Sequence, residues 1–256
     1  IITATMNGVP LREGIDYNLT YPSDMKNAGA KNIKIEGIGN FNGEKDLPYV
    51  INKKTVTADD ISLDNTIFTY DGTAKTPAVT VTDGTTTLNP QTDYTINYSN
   101  NTNAGTASVT VTGKGNYSFD ITKEFVINKA DVKVKVADAQ KEYGDPAPNY
   151  ALELVNSADA AFADISAINA LASFECDGSE VDADVTDNGY EISATLTTGT
   201  TDNFDITVES MGKLTVTKAL LTVKVKDVSR EYGAENPTPE VEYTGFKNGE
   251  TEAVLS

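Results

Sequence analysis

Histidine and tryptophan are absent from this 256-residue chain, and cysteine occurs once, as Cys176. Without histidine, Ser-His-Asp and Cys-His catalysis and histidine-ligated zinc are excluded together. One cysteine makes no intrachain disulfide, so the redox compartment is not readable from it. Basic residues are also few: 20 Lys and Arg stand against 38 Asp and Glu, a formal net charge of −18. That balance opposes a nucleic-acid backbone or an anionic membrane, and no local cluster of Lys or Arg offsets it. No run approaches the ~20 apolar residues of a membrane span. The expectation is therefore no nucleic-acid partner and no membrane insertion within these residues. No signal peptide is read at Ile1, and the chain is expected to be a piece of something longer.

What is present is repetition. Asp16 to Gly43 returns as Asp93 to Asp120: Asn27-Ala28-Gly29 matches Asn103-Ala104-Gly105, and Gly39-Asn40-Phe41 matches Gly115-Asn116-Tyr117. Both copies close on Val-Ile-Asn-Lys, at Val50 to Lys53 and Val126 to Lys129. A second repeat follows. Ala130 to Val136 returns as Ala219 to Val225, and Lys141-Glu142-Tyr143-Gly144 as Arg230-Glu231-Tyr232-Gly233, each followed by a pair of prolines. Asn156-Ser157 corresponds to Asn248-Gly249. Tandem self-similarity of this kind is the sequence signature of a repeat array. The repeats divide the chain into a copy lacking its beginning (1–53), a complete copy (54–129), a complete second-type copy (130–218) and a truncated second-type copy (219–256). No Gly/Ser-rich or Pro-rich linker separates them, so short joints and an extended, fairly stiff rod are expected.

Locally the reading is β. Tyr94 to Tyr98, Ala107 to Thr112, Val132 to Val136 and Leu221 to Val225 alternate with period two, one face apolar and the other Thr, Ser or Lys. Asp71-Gly72, Asp83-Gly84, Asn248-Gly249 and Gly37 with Gly39 mark turns. Gly105, Gly113 and Gly115 are expected where positive φ or close backbone approach is needed. Tyr94, Tyr98 and Tyr117 are expected to bury their rings with the hydroxyl near an edge. Phe162, Ile165, Ile168 and Leu171, spaced by three in the Ala-rich stretch 158–172, predict a helix of three or four turns, with a shorter cousin at Glu250 to Leu255.

The complete first-type copy carries Tyr70-Asp71-Gly72, Tyr98-Ser99-Asn100-Asn101, Asn103-Ala104-Gly105, Gly113-Lys114-Gly115-Asn116-Tyr117 and a closing Phe125-Val126-Ile127. It resembles the Tyr-Asp-Gly class of immunoglobulin-like repeats of large bacterial surface proteins. Glu142-Tyr143-Gly144 and Glu231-Tyr232-Gly233, with their paired prolines, resemble the companion Tyr-Gly-type surface repeats. The resemblance implies an all-β chain of tandem small β-sandwich domains. A short helix is expected in 130–218, where a β-grasp-like arrangement is the alternative. It further implies an extracellular stalk or adhesin segment, attached to the cell surface or cell wall by regions outside these residues. No catalytic set comes with it.

The residue chemistry agrees. Carboxylate pairs remain for glycoside hydrolysis, but the acids are scattered and no Trp provides a sugar platform, so no enzymatic activity is expected. Asp182, Asp184 and Asp187, among Asp177 and Glu180, form the one acid-rich loop that offers hard oxygen ligands to Ca²⁺. The plainer reading is a solvated face. Cys176, two residues after Phe174, reads as a small buried hydrophobe. Function is expected to be mechanical: a monomeric spacer without cofactor. The alternative is an adhesion module contacting host glycan or matrix protein.

Overall fold

The computed structural model describes residues 2–255. The chain is all-β: short strands gathered in several sheets, four 3-10 turns and one five-residue α-helix among the described residues. It divides into two compact units, residues 1–68 with 73–128, and residues 69–72 with 129–256. No helix among the described residues is long and apolar enough to cross a membrane.

In the first unit, Tyr17–Thr20, Gly29–Gly37 and Glu44–Ile51 form one antiparallel sheet in chain order, preceded by a small hairpin of Thr5–Met6 with Val9–Pro10. Ile61–Leu63, Val79–Asp83 and Thr86–Thr87 make a second sheet. A third runs in the order Tyr94–Ser99, Gly105–Gly113, Asp120–Asn128, Ile67–Thr69. Ile61 and Val81 from one of these sheets meet Tyr94, Val109 and Val111 from the other, with Val56 and Leu88 at the margin. Two sheets sharing one apolar layer make a sandwich. The expected alternation holds: Ala107, Val109 and Val111 are fully buried while Thr110 and Thr112 face outward. There the Thr110 and Thr122 hydroxyls lie 3.0 Å apart and Thr112 Oγ1 donates to Asp120.

The second unit is built on Ala130–Val136, whose Ala130, Val132, Val134 and Val136 all point inward. This strand lies between Leu152–Leu154, antiparallel, and Phe204–Ser210, parallel. A second sheet runs Ala139–Glu142, Gly212–Thr217, Tyr190–Leu196, Ala172–Glu175, its first pairing also parallel. Ile192, Leu214 and Val216 from the second sheet close on Val132, Val134 and Ile206 from the first. The core is thus filled mainly from two sheets facing each other as a sandwich, with Ala163 and Ile168 joining it from the intervening helical stretch.

The helix differs from expectation. Instead of three or four turns over 158–172, a 3-10 turn covers Ser157–Ala161 and a separate α-helix covers Ile165–Asn169. A strict spacing of three slips about 60° per step around an α-helix, so four such residues cannot share one face. Local side chains then set the break. Asn156 accepts from Ala158 N to start the first piece, and Asp164 accepts from Ser166 N to start the second. Asn169 stops it by donating to Ile165 O (3.0 Å) while accepting from Leu152 N (2.6 Å). Only Ile168 of the helix is buried.

Residues 219–255 form a hairpin of Thr222–Val225 with Val241–Thr244, then a 3-10 turn at Glu252–Leu255, where the short helical cousin was expected. Val223 and Val225 are exposed, whereas their counterparts Val134 and Val136 are buried.

Candidate functional site

The recurrent words serve two purposes in the structure. Some shape the repeat itself. Gly105 and Gly115 have φ of +131° and +61°, and a Cβ on Gly113 would sit 2.7 Å from the Phe119 ring. Asn248-Gly249 takes positive φ at both residues, the backbone of a tight hairpin-type turn, closed by Glu250 N to Lys247 O at 2.8 Å. The three tyrosines behave as expected: Tyr94 is 2% exposed, and Tyr98 and Tyr117 are half-buried. Their hydroxyls donate to Val79 O, Pro77 O and Asp83 Oδ2.

Asp83 is the centre of a small network. Its second oxygen takes Lys54 Nζ at 2.5 Å, and Lys54 N and O both bond the backbone of the Asn116 to Ser118 loop. The Lys54 ammonium holds Asp83 below the usual carboxylate range, and Asp83 in turn raises Lys54. Burial, then the Asp83 bond, raises Tyr117. Asp24 is likewise held low, first by Lys31 and then by the amides of Asn27 and Lys26. The signs give a pH window. The lowered carboxylates stabilise the first unit above their unfolded pKa of about 4 and lose that contribution as pH falls through the lower folded value. The raised Lys54 and Tyr117 contribute below about pH 10 and lose it as pH rises through their folded values. Denaturation midpoints of the first unit should therefore be flat from about pH 5 to 9 and fall on both sides. Asp83→Asn should shrink both falls.

Other words connect one repeat to another. Within the first unit, the Asn116 side chain of the 54–129 repeat accepts from Ala28 N at 2.7 Å and donates to Asn27 Oδ1 at 3.0 Å. The Asn-Ala-Gly word of one copy is thus held by the Gly-Asn-Tyr word of the next. Within the second unit, Tyr70 meets Phe162 edge-on, ring centroids 5.9 Å apart, and a Cβ on Gly72 would lie 3.2 Å from Phe162 Cβ.

The most developed contact is at Tyr143-Gly144. Lys247 Nζ lies 3.0 Å from both Glu142 Oε1 and Asp145 Oδ1, and Tyr143 OH donates to Glu250 Oε1 at 2.5 Å. Val181 O accepts from Gly144 N and from Asn248 Nδ2. The carboxylates of Glu142 and Asp145 raise Lys247, and Glu250 raises Tyr143. Gly144 has φ +85°, and the Lys247 stem lies where its Cβ would be. An open apolar groove of about 260 Å³ runs beside this contact, lined by Tyr143, Leu221, Phe246, Val254 and Leu255. Sequence reading took Asn248-Gly249 as a turn and missed its role. The available signal was a lone Lys247 and Glu250 flanking it, complementary to Glu142, Asp145 and Tyr143.

The acid-rich loop is placed otherwise. Asp182, Asp184 and Asp187 are all exposed, and Asp184 O accepts from Tyr190 OH. Among the described residues, no three acidic or cysteine side chains gather as a metal site. Cys176 is half-buried against the second core, just past the end of its strand rather than on it.

Residues 221–256 match the MBG domain (YGX type). This is a repeat domain of large bacterial surface proteins. The matched span holds Tyr232-Gly233, and the internal repeat relates it to Tyr143-Gly144. Neither the curated proteins nor the solved structures gave a match.

Proposed function

We propose that this chain is a non-enzymatic spacer segment of a bacterial cell-surface protein, carried outside the cell and holding distal domains away from the envelope. The similarity of residues 221–256 to the MBG domain, a repeat of surface proteins, supports this reading. The observation that carries the spacer role is the use of the recurrent words. In one copy of each word, Asn27-Ala28, Asn116 and Tyr143-Gly144 are engaged in contacts from one repeat to another, where a binding module would leave them open. A surplus of negative charge keeps neighbouring copies apart.

The adhesion reading rests on the polar hollow of about 490 Å³ lined by Asn100 to Thr106. Asn101 braces the loop instead: its side-chain amide donates to Lys75 O, and its backbone carbonyl accepts from Lys75 N. No aromatic ring lines it. An array of glycans and matrix proteins probed with the whole chain should show no saturable binding below ~1 mM. Saturable binding that Asn101→Ala abolishes would replace the spacer by an adhesin.

A further inference from the structure

The two second-type repeats present equivalent stretches with different chemistry. By the match of Asn156 with Asn248, Val155-Asn156-Ser157-Ala158 corresponds to Lys247-Asn248-Gly249-Glu250. Each stretch leads into a 3-10 turn, Ser157–Ala161 in one case and Glu252–Leu255 in the other. The second stretch itself lies at Tyr143-Gly144, where Gly144 has φ +85°; the repeat carrying the first meets Tyr70 and Gly72 (φ +80°) through Ala161 and Phe162, a few residues past its stretch. At Gly144 the Lys247 stem occupies the space a Cβ would need, whereas at Gly72 a Cβ would lie in tight contact, 3.2 Å from Phe162 Cβ.

The chemistry of the two contacts does not interchange. Tyr70 meets the rings of Phe162 and Phe204. Tyr143 instead gives its hydroxyl to Glu250, and the flanking Glu142 and Asp145 take Lys247. A Val-Asn-Ser-Ala turn seated at Tyr143-Gly144 would leave two carboxylates beside an apolar side chain and the tyrosine hydroxyl without an acceptor. Discrimination between partners commonly comes from such unpaired groups as much as from new attractions.

We infer that this turn determines which repeat type precedes which. A repeat carrying Lys-Asn-Gly-Glu docks on a predecessor whose word is Glu-Tyr-Gly-Asp, and the seat formed by Glu142, Tyr143, Gly144 and Asp145 is specific for that turn. The Tyr-Gly word is then a docking seat as well as a turn. The inference does not depend on whether the segment spaces or adheres.

The test uses the whole chain with Cys176→Ser and spin labels at Glu191 and Lys224, both exposed strand positions in the second unit. With the native turn, pulsed dipolar spectroscopy should give one narrow distance distribution. Rewriting the turn to the other type, Lys247→Val with Glu250→Ala, should at least double its width. Lys247→Glu alone should broaden it too, and adding Glu142→Lys with Asp145→Lys should narrow it again. Circular dichroism confirms that each variant keeps its strands, and the charge-reversal set decides the matter if the rewritten turn misfolds. An unchanged width in the rewritten turn, a broad distribution in the native chain, or no recovery in the reversed set would each overturn the inference. A glycan hit on the array would leave it standing, so the two readings fail separately.

Discussion

Alanine at Gly144 should destabilise the second unit by several kcal/mol, while alanine at Gly233 should cost only about 1 kcal/mol. The two glycines occupy the same place in the two Tyr-Gly words and share φ of +85°. Left-handed backbone at a residue with a Cβ costs roughly 1–3 kcal/mol, and both variants carry that strain. Only Gly144 has a neighbour. Its Cβ would lie 2.4 Å from Lys247 Cβ, 2.5 Å from Cγ and 2.8 Å from Cδ, whereas nothing lies within 4 Å at Gly233. The terminal carbons of lysine can swing away, but Cβ moves only with its backbone, so the 247–250 turn must withdraw. Overlap of this kind in a packed site adds about 1–3 kcal/mol. Withdrawal also breaks the bonds of Lys247 to Glu142 and Asp145 and of Tyr143 to Glu250. Denaturant titration of both variants separates the strain from the collision. Equal effects at the two positions would show that the close approach of Lys247 contributes nothing.

Leu214→Ala should be the most damaging single core truncation in the second unit, at about 2–5 kcal/mol. Leu214 is fully buried on one of the two inner strands of the second sheet, paired with Ala139 on one side and Tyr190 on the other. It belongs to the layer where Val132, Val134 and Ile206 of the facing sheet meet Ile192 and Val216. Removing three side-chain carbons leaves a hole walled by strands from both sheets, and strands held by ladders on two edges collapse poorly into it. The change is read as a shifted denaturant midpoint with the slope unaltered. A loss under about 1 kcal/mol would mean that the two sheets do not share a tightly packed layer.

The strands, their inward faces and most turns were legible in the sequence because they depend on neighbours along the chain. Ala107, Val109 and Val111, or Val132, Val134 and Val136, declare their buried face by period two alone. Asn248-Gly249 declares its turn by tolerance of positive φ. The helical stretch misled because hydrophobic spacing was read without its competitors. Asn156, Asp164 and Asn169 each offer the backbone a side-chain partner, and together they cut one helix into two.

Long-range partners were not legible. The parallel pairing of Ala130–Val136 with Phe204–Ser210 joins strands separated by most of the repeat, and alternation says nothing about which strand lies beside which. Lys141 is visible only as part of the Lys-Glu-Tyr-Gly word, yet it is 5% exposed and its ammonium donates to Glu180 O. The candidate site was hidden for the same reason. Tyr143-Gly144 is visible as a repeat word and Asn248-Gly249 as a turn, but their complementarity appears only when two distant segments are set side by side.

Residue-resolved hydrogen exchange at Ala28 tests most directly whether the recurrent words join repeats. Ala28 begins no ladder of its own, and its amide is held by the side chain of Asn116, 88 residues away in the next copy. This amide should exchange at least tenfold more slowly than an open loop, and Asn116→Ala should remove the protection while the amides of Gly29–Gly37 and Gly105–Gly113 keep theirs. Exchange of Ala28 at the rate of a free loop in the native chain would contradict that joining of repeats.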